Sequence, residues 1–224
     1  MTMKKMLVVG DSYADHHEFK YKKMETFPIW PELIAEKYDY MLLNKAQCGY
    51  GNRAILNNFL DNVISIQFDL AIIMWTKVTR VDVEVSKEVY SPKYTDKEIK
   101  NTNYYNQIKD IDSNNFMRQL FIAQTLSERL GVSTLQLAGT STGVTTSIIN
   151  SKYITEIDKT KIWGFPFSNK INGKVLDTFL KDDERLDYVT KDDDKHPNEK
   201  GHQKMAHMIE NILIEKELLV DTIQ

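Results

Sequence analysis

The chain has 224 residues, with 29 Lys and Arg against 32 Asp and Glu for a formal net charge of -3, and a sequence pI of about 6.0. Its size suits one α/β domain with long insertions, and its acidic balance excludes nucleic acid as an expected partner, since nucleic-acid binders gather Lys and Arg into a basic face. A lone cysteine, Cys48, excludes an intrachain disulfide, while the short apolar run Met6 to Val9 and the lack of any stretch of roughly 20 apolar residues predict a soluble chain made in the cytoplasm, without signal peptide or membrane partner.

Lys5 to Val9, rich in Val and Leu and ending in Gly10, reads as a buried first strand followed by a tight turn. Apolar residues at helical spacing from Phe27 to Tyr38 predict the first helix, with Pro28 and Pro31 near its start. Tyr40 to Leu43 reads as the second strand, Ala54 to Ile66 as the second helix and Leu70 to Met74 as the third strand. This βαβαβ alternation implies parallel strands joined by right-handed crossovers. From 77 to 113 the chain is charged, tyrosine-rich and aperiodic, and reads as an insertion over the strand ends; Tyr90, Tyr94, Tyr104 and Tyr105 read there as loop tyrosines shielding a core, with a sugar-stacking wall as the sharper alternative. Asn115 to Leu130 resumes a helix with Gly131 as its C-cap, Ser133 to Leu137 follows as a strand, and 139–190 is a second insertion of mixed character. A last helix runs from Asn198 to Glu217, opened by Pro197.

Three blocks carry chemistry. Gly10-Asp11-Ser12 directly follows the first strand, where a turn presents the serine at the carboxyl edge of a parallel sheet, the edge at which open α/β sheets bind ligands. Asp193-Asp194-Lys195-His196-Pro197 sets a carboxylate three residues before a histidine at the mouth of the last helix. A serine hydroxyl needs a base of near-neutral pKa to become a nucleophile, and the base needs a carboxylate to fix its tautomer. Asn44 to Asn52 is a loop containing Gly49 and Gly51; a glycine lets a backbone N–H approach a developing oxyanion, and Ser12's own N–H is the natural second donor. Alone, Gly-Asp-Ser is ordinary turn chemistry, and the acidic run before His196 would be a solvated surface. Their joint occurrence at opposite ends of the chain is what gives them weight.

Together these blocks resemble the SGNH (GDSL-type) hydrolase family, from Lys5 to about Leu213, leaving out the insertions. The resemblance implies a flavodoxin-like three-layer α/β/α fold with a central parallel sheet, spanning 1–224 as a single domain. It also implies Ser12 as nucleophile, His196 as general base, Asp193 as its orienting partner, and Ser12 and Gly49 as oxyanion donors. No metal or organic cofactor is implied. One block departs: after the third strand the family has Gly-x-Asn-Asp, whose asparagine donates to the oxyanion, whereas this chain reads Met74-Trp75-Thr76-Lys77. Asn52 and Thr76 are the candidate substitutes. Trp75-Thr76 followed by Arg80 is similar to a variant in SGNH-like proteins of tailed bacteriophages.

The first expectation is therefore a serine esterase hydrolysing a small acyl ester through an acyl-enzyme, with O-acetyl groups on carbohydrate as a candidate substrate. The alternative is a phage structural or glycan-binding protein that keeps the fold with little or no turnover, partnered by virion subunits or by its own copies. The other histidines and the cysteine carry less. His16 and His17 are adjacent and cannot easily share one metal-facing side, His202 and His207 read as structural residues of the last helix, and Cys48 reads as a small inert side chain.

Overall fold

In the computed structural model the described residues are 3–16, 26–80, 83–85, 88–90, 102–167, 173–176, 187–190 and 196–219. Four parallel strands, β1 (Lys4–Val9), β2 (Tyr40–Asn44), β3 (Leu70–Trp75) and β6 (Ser133–Ala138), form one sheet in the order β2-β1-β3-β6. Its helices are α1 (Trp30–Lys37), α2 (Asn52–Ser65), α3 (Thr102–Leu130) and α4 (Glu199–Glu215). Two short antiparallel strands, β4 (Val83–Val85) and β5 (Glu88–Tyr90), stand apart from the sheet.

Both faces of the sheet are covered, which is why β1 and β3 are continuous apolar runs rather than alternating ones. Met6 to Val9 and Leu70 to Met74 are fully buried. The side chains still alternate between two cores: Leu7, Val9, Ala71, Ile73 and Trp75 face α2 and α3, whereas Met6, Val8, Leu70, Ile72 and Met74 face α1 and α4. This is the three-layer α/β/α architecture expected from the sequence. The chain leaves β1 for β2 on one face and returns past β1 to β3 on the other, so its winding reverses between β1 and β3. That reversal opens a crevice at the carboxyl ends of those two strands.

Two expectations change in detail. Helix α1 starts at Trp30 rather than Phe27 because Ile29 has extended backbone, and the Glu32 carboxylate accepts the Ile29 N–H at 3.1 Å as a cap. The stretch 77–113, aperiodic in sequence, holds the antiparallel β4–β5 pair and the first turns of α3, which begins thirteen residues before the apolar stripe at Asn115. Tyr104 and Tyr105 are therefore helical residues, not loop residues, while Tyr94 lies outside the described residues. The stretch 139–190 contains two short 3-10 turns, Thr146–Asn150 and Lys159–Lys161. Beyond β6, among the described residues, a bridge from Gln136 to Ile162 continues the sheet. Among the described residues no helix is long and apolar enough to cross a membrane.

Candidate active site

Ser12 follows β1 in a tight turn closed by the Ala14 N–H donating to the Asp11 carbonyl at 3.0 Å. This turn sits at the crevice between β1 and β3. The Ser12 residue is 5% exposed, and its Oγ lies 2.7 Å from His196 Nε2, a contact across 184 positions of sequence. The Tyr13 ring flanks the imidazole with centroids 5.5 Å apart.

His196 is held by a backbone clamp. Residues 187–190 run antiparallel to the start of the last helix: Thr190 N–H donates to the His196 carbonyl at 2.9 Å and Asn198 N–H to the Tyr188 carbonyl at 3.0 Å. The Asn198 side chain locks the arrangement, its Nδ2 donating to the Asp187 and Val189 carbonyls at 2.9 and 3.1 Å while its Oδ1 caps α4 by accepting from Gly201 N–H at 2.9 Å. A Cβ at Gly201 would lie 2.2 Å from the Tyr188 carbonyl oxygen, so only glycine lets the strand and the helix close on each other. The sequence places Asn198 at the start of the last helix, and an asparagine two residues after the histidine and just ahead of a helix is an N-cap signal, though not one for the carbonyl contacts. Asp193, the expected orienting carboxylate, lies outside the described residues.

The loop after β2 is tied to the serine turn by its backbone. Lys45 N–H and Gln47 N–H donate to the Val8 and Gly10 carbonyls at 2.8 and 3.1 Å, extending the β1–β2 ladder past the strand ends. Asn44 Nδ2 donates to the Ala14 carbonyl at 2.7 Å, and the Asp15 carboxylate accepts the Cys48 N–H at 3.0 Å. Gly49 follows with φ of 88°, a left-handed conformation that favours glycine.

Buried Asp11 and Thr76 and the partly exposed Arg80 form a polar knot beneath the serine. Asp11 Oδ2 accepts from Thr76 Oγ1 at 2.8 Å and from Arg80 Nη1 at 3.1 Å, and Nη1 also donates to the Tyr50 carbonyl. Thr76 N–H donates to Asn52 Oδ1 at 2.9 Å, and Asn52 Nδ2 returns a bond to the Thr76 carbonyl at 3.1 Å. Both donors of Thr76 are thus spent on the scaffold, and none is left to aim at an oxyanion. Asn52, at the first turn of α2, spends one N–H of its amide on Thr76, and an amide nitrogen carries two.

Three imidazoles gather on the α1–α4 side. His202 is 3% exposed and accepts the Trp30 N–H at 3.4 Å through Nδ1. Burial, helped by the nearby His16 and His196, pushes its pKa down to about 3. His202 is therefore neutral at ordinary pH. His16 Nε2 lies 2.7 Å from Glu32 Oε1 at the rim. Among the described residues no three His, Cys, Asp or Glu side chains gather into a metal-binding group; His17 lies outside them.

No protein-family model matches the chain, and no curated protein does. Solved structures do. The chain is similar to a lipolytic protein of the G-D-S-L family from Desulfitobacterium hafniense DCB-2, at 16% identity and a TM-score of 0.54, covering 94% of this chain and 99% of that one. It is similar to the psychrotrophic esterase EstA from Pseudoalteromonas sp., at 13% identity and a TM-score of 0.50, covering 95% and 97% of the two chains. It is also similar to an acetyl xylan esterase, Est2A, from the rumen bacterium Butyrivibrio proteoclasticus, at 12% identity and a TM-score of 0.50, covering 98% of this chain and 66% of that one. At these identities the likeness is one of fold.

Proposed function

We propose, for a chain that has the fold of the G-D-S-L lipolytic proteins, that it is a serine ester hydrolase acting on small acyl esters, with O-acetyl groups on carbohydrate as the substrate class. The observation that carries this is the 2.7 Å approach of His196 Nε2 to Ser12 Oγ at the carboxyl edge of the sheet. The acetyl substrate class is suggested by the fold shared with an acetyl xylan esterase.

In this reading the Ser12 hydroxyl donates its proton to His196 Nε2 as its oxygen attacks the ester carbonyl. Asp193 is the partner assigned to the imidazole. The tetrahedral oxyanion is held by the Ser12 and Gly49 N–H groups, with the second amide N–H of Asn52 as the third donor. The imidazolium then protonates the leaving alcohol oxygen, the C–O bond breaks, and an acyl-Ser12 ester remains. Water attacks that ester with His196 again as base, releasing the acid and restoring the serine. The chemistry as written uses no metal or organic cofactor.

A second reading draws on Thr76. The residue standing where the family carries an oxyanion asparagine directs both of its donors into the scaffold, which suits a glycan-binding or virion structural protein with little turnover. Loss of one oxyanion donor costs on the order of 10² to 10³ in rate. Hydrolysis of p-nitrophenyl acetate and of acetylated xylan by the wild type and by Ser12→Ala separates the two: turnover that vanishes in the variant supports the hydrolase, and inertness of the wild type on both substrates supports the binding protein.

A further inference from the structure

Beside the crevice lies a cavity of about 310 Å³ lined by Asn52, Arg53, Arg80, Asp112, Phe116 and Arg118, among others. Its size is at the low end for small-molecule sites. A larger cavity, about 640 Å³, lies around Ser133 and Lys216 at the amino edge of the sheet, away from Ser12. The smaller one adjoins the chemistry directly, because two of its walls, Asn52 and Arg80, are the residues that hold Thr76 and Asp11 under the nucleophile.

The chain has only five arginines, and three of them line this one cavity. Among the described residues neither Arg53 nor Arg118 is paired with a carboxylate, and Arg80 uses only Nη1, which leaves its Nε and Nη2 uncommitted. Asp112 shares the cavity; burial shifts its carboxyl upward, and among the described residues no ion pair joins it to an arginine. Asn52 and Arg53 open α2, so the positive end of that helix adds to the same field. Guanidinium forks match the planar, two-oxygen geometry of a carboxylate better than any other side chain does.

Building on the hydrolase reading, we infer that this cavity is an anion subsite, and that the preferred substrate carries a carboxylate on the moiety next to the scissile ester, as an O-acetylated uronic acid does. Arg53 and Arg118 would grip the carboxylate, with the free edge of Arg80 completing the cradle. Arg80 thereby links the subsite to the Asp11–Ser12 turn.

The test compares an O-acetylated methyl glucuronoside with its carboxylate methyl ester, and p-nitrophenyl acetate as a substrate without the anion, on the wild type and on Arg53→Gln/Arg118→Gln. Neither substituted residue belongs to the catalytic machinery. The expected result is a KM about tenfold lower for the acid than for its methyl ester in the wild type, a gap that closes in the double variant, with p-nitrophenyl acetate turnover unchanged by the substitutions. If the wild type hydrolyses p-nitrophenyl acetate and treats acid and ester alike, the subsite is refuted and the hydrolase stands. If the wild type is inert on all three, the hydrolase reading fails. Calorimetry with free glucuronate then decides the subsite: binding weakened at least about fivefold in the double variant upholds it, and equal or absent binding overturns it. Inorganic phosphate binding where glucuronate does not would overturn the carboxylate assignment.

Discussion

Replacing His202 by Asn should flatten the acid side of the stability profile. In the fold the imidazole is neutral down to a pKa of about 3, against an ordinary 6.5 in the unfolded chain. The folded value is depressed, so the stabilisation is fully present above pH 6.5 and is lost as pH falls from 6.5 towards 3, where the unfolded state binds a proton that the native state refuses. At pH 5 the integrated cost is about 2 kcal/mol. Asparagine presents an acceptor to the Trp30 N–H but does not titrate, so this loss disappears while every other group is common to both proteins. Urea unfolding at pH 7 and pH 5 measures it: the wild type should lose about 2 kcal/mol more than the variant between the two conditions. Equal losses would show that His202 takes up its proton inside the fold, and would refute the burial argument.

Asn198→Ala removes both carbonyl contacts of the clamp and the cap of α4; a loss of about 2 kcal/mol in chemical denaturation is expected, and on the proposed function kcat should fall about tenfold while KM barely moves, because His196 and not the substrate is displaced. Gly201→Ala should cost about 3 kcal/mol, read as a lowered Tm, since the new methyl meets the Tyr188 carbonyl rather than a flexible side chain. Asp11→Ala strips Arg80 and Thr76 of their shared acceptor and should cost about 2 kcal/mol. Because Arg80 is itself partly exposed, the Asp11→Ala/Arg80→Ala double variant should be more stable than the sum of the single losses predicts, which a double-mutant cycle checks.

The sheet could be read because burial on both faces forces whole runs, such as Met6 to Val9 and Leu70 to Met74, to be apolar. The pairing of Ser12 with His196 could be proposed because each residue stands in a local context whose chemistry points to a partner. What escaped was decided by contacts distant in sequence. The first turns of α3 lack an apolar stripe, with Ile111 exposed and Ser113 buried to accept the Thr145 N–H, so no periodicity marks them. Thr76 looked like a spare donor until the fold aimed it at Asp11, 65 residues away, and Arg80 drew notice as part of a pattern but not as that aspartate's counter-ion. Asn198 is legible as an N-cap just ahead of the last helix, but its hold on the Asp187 and Val189 carbonyls is a tertiary contact that no local pattern shows.

Ser12 and His196 lie 184 positions apart, and the clamp that orients the histidine needs both 187–190 and 196–201 in place. On the proposed function, a nascent polypeptide stalled anywhere before residue 196 would carry the nucleophile without its base. On that same function, turnover should therefore appear only once the segment that carries His196 and Asn198 has been made and its clamp has closed, so that ester hydrolysis reports that closure.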